Sequence, residues 1–190
     1  MICLVRHGET AWSRDGRHTG RTDLPLTSTG ELAAAGIAKG LSGRVFTQVW
    51  TSPLQRAKHT CELAGFGEVA ISDDRLMEWD YGDYEGLTSA SIRGARPTWS
   101  LMRDGCPGGE QTADVIERVQ SFLSGLGDSQ DDILIFSSGH LLRLLTTVWL
   151  RCDATFADHL PLDTASISIL DFDPRHALPT ISLWNYRPNW

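Results

Sequence analysis

No apolar run in this 190-residue chain approaches the roughly 18 residues that a membrane-crossing helix needs, so a membrane span is not expected. The opening MICLVRHGET meets charge and glycine too soon for a signal peptide. No Cys-x-x-Cys occurs, and the four cysteines, at 3, 61, 106 and 152, have spacings that suggest no zinc site. Cys3 and Cys61 sit in apolar patterns and are expected to be buried thiols. A reduced, cytoplasmic protein is the simplest reading. Positive charge is not in excess: the net charge is −7, which argues against nucleic acid or an anionic membrane as a general partner. A small cationic pocket for a phosphate stays allowed, because a pocket is a local field. There is no Walker-type G-x-x-x-x-G-K-[ST] loop, no metal-ligating constellation, no repeat, no low-complexity tract and no linker.

What is present is ordinary globular material, 41% hydrophobic and 22% charged, long enough to bury a substantial core. The chain reads as one domain, 1–190, with a polar, turn-rich insertion or lid over 72–109 that holds one short helix near Ser89 to Ala95. Strands are expected at Ile2 to Val5, Val45 to Trp50, Ile133 to Phe136, Ala165 to Phe172 and Thr180 to Tyr186. Helices are expected over Leu32 to Leu41 (capped by Thr27 or Ser28), behind Ser52-Pro53 as N-cap and first helical residue, along Val115 to Leu126, and from Leu141 to Trp149. Strands alternating with helices imply an α/β fold whose central sheet is mainly parallel and covered on both faces. Such folds bind ligands at the carboxyl ends of their strands.

The first strand is followed by Arg6-His7-Gly8, in which Gly8 lets backbone approach a ligand closely. A solvated turn with a chance histidine is the bland alternative. After the second strand, Arg56 falls in the first turn of its helix, the wrong end for a cation given the helix dipole. A surface ion pair would excuse it; an anion bound there would explain it better. Two cations and an imidazole at strand ends suit phosphoryl transfer, with neutral imidazole attacking phosphorus and arginine forks binding its oxygens.

LVRHGET, RHTGRTDLPLTSTG, TSPLQRAKHT, LMEWDYGDYEGLT and RDGCPGGE occur in that order. Together they resemble the histidine phosphatase superfamily, which includes cofactor-dependent phosphoglycerate mutases. The closest motifs are those of the fungal sedoheptulose-1,7-bisphosphatase group and related bacterial acid phosphatases. The resemblance implies a phosphoglycerate mutase-like three-layer sandwich. It implies that His7 becomes phosphohistidine, that Arg6 and Arg56 clamp the phosphoryl group, and that Glu78 is the acid/base for the leaving oxygen. Ser13, Thr19, Gly20 and Tyr81 match positions lining the phosphate and substrate site. The implied activity is hydrolysis of a small phosphorylated metabolite, a sugar phosphate or bisphosphate, with no cofactor and no metal. A phosphoglycerate mutase is the less favoured reading, and nothing in the sequence fixes an oligomeric state.

One departure stands out. The family ends the strand at 133–136 with Ser-His-Gly, whereas this chain reads Ser137-Ser138-Gly139-His140. Ser138 therefore stands where the second catalytic histidine is expected. His140 matches a residue facing the substrate, and Arg143 a contact for its distal part or, alternatively, a helix-surface charge. Ser138 is open to three readings: an engineered trap, a natural variant with His140 or a water compensating in part, or a member repurposed for other chemistry or for binding alone. Elsewhere, His18 is a candidate for the pocket mouth. His59, His159 and His176 are expected to be structural or solvated. Trp12 and Trp79 could wall the pocket or pack in the core; Trp50, Trp149 and Trp184 fit core packing.

Overall fold

The computed structural model describes residues 1–126 and 132–188. Six strands form one sheet: β1 (Ile2–Arg6), β2 (Gln48–Thr51), β3 (Ile71–Ser72), β4 (Ile133–Ser137), β5 (Ile167–Phe172) and β6 (Pro179–Tyr186). Their order is β3-β2-β4-β1-β5-β6. The pairings β1–β4, β2–β4 and β2–β3 are parallel. The β1–β5 and β5–β6 pairings are antiparallel, so the sheet is parallel at its centre and reverses at one edge.

Among the described residues, seven α-helices accompany it: α1 (Ala11–Arg14), α2 (Ser28–Gly40), α3 (Gln55–Leu63), α4 (Ser89–Ala95), α5 (Leu101–Asp104), α6 (Thr112–Gly125) and α7 (Gly139–Leu150). The period-two alternation of the central strands splits the core in two. Ile2, Leu4, Ile133 and Ile135 face one side with Val115, Val119 and Phe122 of α6 and Leu141, Leu144 and Leu145 of α7. Cys3, Val5, Leu134 and Phe136 face the other with Ile37 of α2 and Cys61 of α3. Strands buried on both faces read as continuous apolar runs, and the result is the three-layer sandwich expected. Each fully buried Leu or Ile contributes about 1.5–3 kcal/mol.

Several boundaries moved, each for a physical reason. β2 starts at Gln48 rather than Val45, because β4 begins at Ile133, whose register partner is Gln48. Just before β2, Thr47 N donates to the Asp132 carbonyl at 2.9 Å, and Val45 is exposed. β5 starts at Ile167 rather than Ala165, whose φ of 53° is incompatible with a strand. Thr27 caps α2 by accepting from the Gly30 N–H. Ser52 does not cap α3; its Oγ accepts from Leu54 N at 3.4 Å within a local turn. The helix starts later, where Asp23 Oδ1 accepts from Gln55 N at 2.8 Å. Arg56 still lies in its first turn. Trp79 is fully buried in the core. Among the described residues no helix is long and apolar enough to cross a membrane, and no group of His, Cys, Asp and Glu is arranged to hold a metal ion.

Candidate active site

The ends of β1 and β4 lie side by side, with Arg6 paired to Ser137. Ser137 Oγ donates to the Leu76 carbonyl at 2.6 Å and draws the loop carrying Glu78 to the same place. A cavity of about 210 Å³ opens there. Arg6, His7, Glu78, His140 and Arg143 all line it, although they are spread over most of the chain.

His7 is buried, and its Nδ1 lies 2.7 Å from the Gly8 carbonyl oxygen. A carbonyl can only accept, so Nδ1 carries the proton. Burial first, then the charges of Arg56 and Arg6, hold this imidazole well below its ordinary range. The ring is therefore neutral, with an unprotonated Nε2. Glycine is required beside it: a Cβ on Gly8 would fall 2.5 Å from the Gly30 carbonyl oxygen of α2. The Gly8 N–H donates to Thr60 Oγ1, whose own proton goes to the Arg56 carbonyl.

Arg6 donates through Nη1 to the Leu162 carbonyl, while its Nε is buried without a partner. The guanidinium passes so close to α7 that a Cβ on Gly139 would sit 3.2 Å from Cζ. Arg56 is completely buried behind the cavity wall and does not line it. Its Nη2 donates to the carbonyls of Thr19 and Gly20 at 2.9 and 2.8 Å, and Nη1 to that of Thr22 at 3.0 Å. Arg56 Nε is also unpartnered. Burial lowers the pKa of both arginines, yet each keeps a buried donor in reserve.

Glu78 is buried at the amino end of α7. Its Oε1 accepts from Trp79 N at 3.0 Å and Leu141 N at 2.8 Å; its Oε2 accepts from His140 N at 3.0 Å. The carboxylate thus takes the place of a side-chain cap on α7, which Ser138 does not supply. Ser138 is buried, is not part of the cavity lining, and leaves its Oγ without a partner.

Tyr81 O–H and His140 Nδ1 are 2.6 Å apart. Burial pushes the Tyr81 phenol well above its ordinary value and His140 well below, so both are neutral. His18 lines the cavity and packs at a tilt against Tyr81, with ring centroids 4.7 Å apart. Burial, then Arg93, brings it down to about 4. Arg143 faces the cavity and donates from Nε to the Ala157 carbonyl at 2.8 Å. Ser13 and Thr19 line the cavity as well, but the Ser13 hydroxyl is engaged with Thr10 in the α1 capping box. Gly20 lies outside the lining; its carbonyl supports Arg56, and its N–H donates to Glu85.

The motif residues thus divide into a lining set and a supporting set, Arg56, Ser138 and Gly20. Lining residues that sequence reasoning passed over are Gly16, Arg17, Ser89, Gly139 and Leu162. The Arg17–Thr88 bridge brings two of those segments together. Neither segment carries a local signal of that pairing. Arg6, Arg17 and Arg143 against one carboxylate, Glu78, make the lining cationic in a chain of net charge −7.

Residues 2–187 match the family model of the histidine phosphatase superfamily (branch 1). An acid phosphatase of Mycobacterium tuberculosis is 40% identical over 177 residues, spanning 90% of this chain and 86% of that protein. A sedoheptulose 1,7-bisphosphatase of Saccharomyces cerevisiae is 34% identical over 180 residues, spanning 77% of this chain and 66% of that one. The solved structure of open reading frame Rv3214 from Mycobacterium tuberculosis superposes with a TM-score of 0.93 at 36% identity, covering 99% of this chain and 98% of the other.

Proposed function

The chain belongs to the histidine phosphatase superfamily, branch 1, and from that premise we propose that it hydrolyses a small phosphorylated metabolite through a phosphohistidine at His7. The observation that carries this reading is the state of His7: Nδ1 is tied to the Gly8 carbonyl, the ring is held neutral, and Nε2 is left with its lone pair. In the first step His7 Nε2 attacks phosphorus and the phosphorus–oxygen bond to the leaving group breaks. Protonated Glu78 gives its proton to the leaving oxygen. Oε2 accepts one hydrogen bond where Oε1 accepts two, so Oε2 has room for that proton. In the second step Glu78 takes a proton from water, the water oxygen bonds to phosphorus, and the bond to Nε2 breaks. The unpartnered Nε donors of Arg6 and Arg56 are available to phosphoryl oxygens, or to groups that hold them.

The substrate we favour is a sugar phosphate or bisphosphate. Arg143 and Arg17 add cationic wall beyond the Arg6–His7 pair, and the yeast relative is named a sedoheptulose 1,7-bisphosphatase. The segment 72–109 contributes Glu78, Tyr81 and Ser89 to the lining and is read as the lid of the site. A second reading, a phosphate-ligand binder with little turnover, is favoured by the neutral, partnerless Ser138. A mutase would require the phosphoenzyme to survive long enough to re-donate, which burst kinetics and product exchange detect.

The test is phosphate release from sedoheptulose 1,7-bisphosphate, fructose 1,6-bisphosphate and ribose 5-phosphate, with rapid quenching to trap phosphohistidine. His7→Gln is expected to lower release by at least about 10³-fold and to abolish the trapped label. Tight binding without release from any of these substrates supports the binder instead.

A further inference from the structure

Glu78 lies on a connection, not on a long helix or strand: the 3₁₀ turn Asp74–Leu76 ends two residues before it, and no regular element follows until Gly82. A carboxyl group that exchanges a proton with a leaving oxygen needs tighter support than such a loop supplies by itself. We propose that Arg118, on α6 and outside the cavity lining, is the positioning residue for Glu78. This rests on the reading of Glu78 as the acid/base.

The geometry is complete at the level of single N–H groups. Arg118 Nη1 donates to the carbonyls of Arg75 and Met77, each at 2.8 Å, and Nη2 to that of Glu78 at 3.3 Å. Nε and Nη2 grip the Glu110 carboxylate at 2.7 and 3.0 Å. All five guanidinium donors are committed. Glu110 extends the grip: its Oε2 accepts from Asp80 N at 2.7 Å, its carbonyl from Trp79 Nε1 at 2.9 Å, and its N–H donates to the Asp80 carbonyl at 2.9 Å. The backbone is therefore held at 75, 77, 78 and 80, with the Trp79 indole anchored between. Burial acts to raise the Glu110 carboxyl, and the hydrogen bonds and charge of Arg118, with the Asp80 N–H and the charge of Arg21, outweigh it, leaving Glu110 below its ordinary value. The carboxylate that anchors Arg118 is thus itself favoured in its charged form, first of all by Arg118. Lysine, with three donors on a point charge, cannot reproduce a five-bond fork.

The test compares two leaving groups. An alkoxide departs only with a proton, whereas p-nitrophenolate departs as the anion. If Arg118 acts through Glu78, Arg118→Ala lowers kcat/KM for sedoheptulose 1,7-bisphosphate by about 30-fold or more, and for p-nitrophenyl phosphate by less than about threefold. Glu78→Gln gives the same asymmetry, and Arg118→Lys falls between Arg118→Ala and the parent. Circular dichroism and a thermal melt establish that each variant is folded. If Arg118→Ala is not, Arg118→Lys is judged by the same ratio. Equal losses on the two substrates, or no loss, in a folded Arg118 variant overturn the proposal. If Glu78→Gln shows the asymmetry and the Arg118 variants do not, the hydrolase reading stands and the positioning role alone falls. If the parent releases phosphate from neither substrate, both fall together.

Discussion

Ser138→His puts an imidazole where the motif resemblance leads one to expect a second histidine, and the structure says what that substitution costs. Ser138 Oγ makes no hydrogen bond, and the cap of α7 is provided by Glu78, so no existing interaction is lost with the hydroxyl. The position is fully buried. The added ring must project towards the 210 Å³ cavity or overpack the end of β4, at about 1–3 kcal/mol. The gain is one preorganised donor aimed at the phosphoryl oxygens, worth ~3 kcal/mol in the transition state, or roughly 10²–10³ in rate. Phosphate release from sedoheptulose 1,7-bisphosphate is therefore expected to rise at least about 100-fold in kcat/KM. The melting temperature should fall by no more than about 12 °C, at roughly 2–4 °C per kcal/mol for a chain of this size. A folded Ser138→His protein whose rate is unchanged or lower refutes the reasoning. Such a result means that another group, His140 being the nearest candidate by its place in the lining, already supplies what Ser138 lacks.

Two further predictions test the electrostatics and the packing of the site. His18 is held down to about 4, so below about pH 6.5 the unfolded chain takes a proton that the folded chain refuses. Stability then falls as pH drops from about 6.5 to about 4, by about 3 kcal/mol for this residue. Burial of neutral His7 and His140 acts with the same sign. Urea unfolding at pH 7.5 and 4.5 should show a smaller pH difference for His18→Gln than for the parent; an identical difference contradicts the assignment. Gly139→Ala places a methyl 3.2 Å from Arg6 Cζ and Nε. It should weaken vanadate binding by about tenfold, or ~1.4 kcal/mol, while leaving the melting temperature unchanged or raised, since alanine favours the helix. Unaltered vanadate affinity shows that the Arg6 guanidinium is not held against Gly139.

Much of the site was legible because its chemistry is written in short, local strings. Arg6-His7-Gly8 and Gly139-His140 each fall at a strand end, and the apolar runs before them identify those ends without any three-dimensional information. The run from Ser89 to Ala95 was likewise read correctly as a helix, its first turn capped by Thr88. Local reasoning failed where the deciding partner is remote in sequence. Asp23, rather than Ser52, serves the first turn of α3. The start of β4 decides where β2 can begin.

By itself the sequence determined the alternation of strands and helices, the two-faced core and the place of His7 just after β1, because periodicity and residue type act over a few neighbouring positions. Only the tertiary structure decided which groups share a cavity and which stand behind it. Arg56 and Ser138, which the motif resemblance leads one to expect in the site, sit outside its lining. Arg17 and His18 reach the lining on a loop folded against the start of α4, where Ser89 lies. The same holds for Arg118, an ordinary helix residue in the sequence, whose five hydrogen bonds exist only once α6 is packed against the loop that carries Glu78. A guanidinium satisfied by distant carbonyls has no signature in the residues beside it.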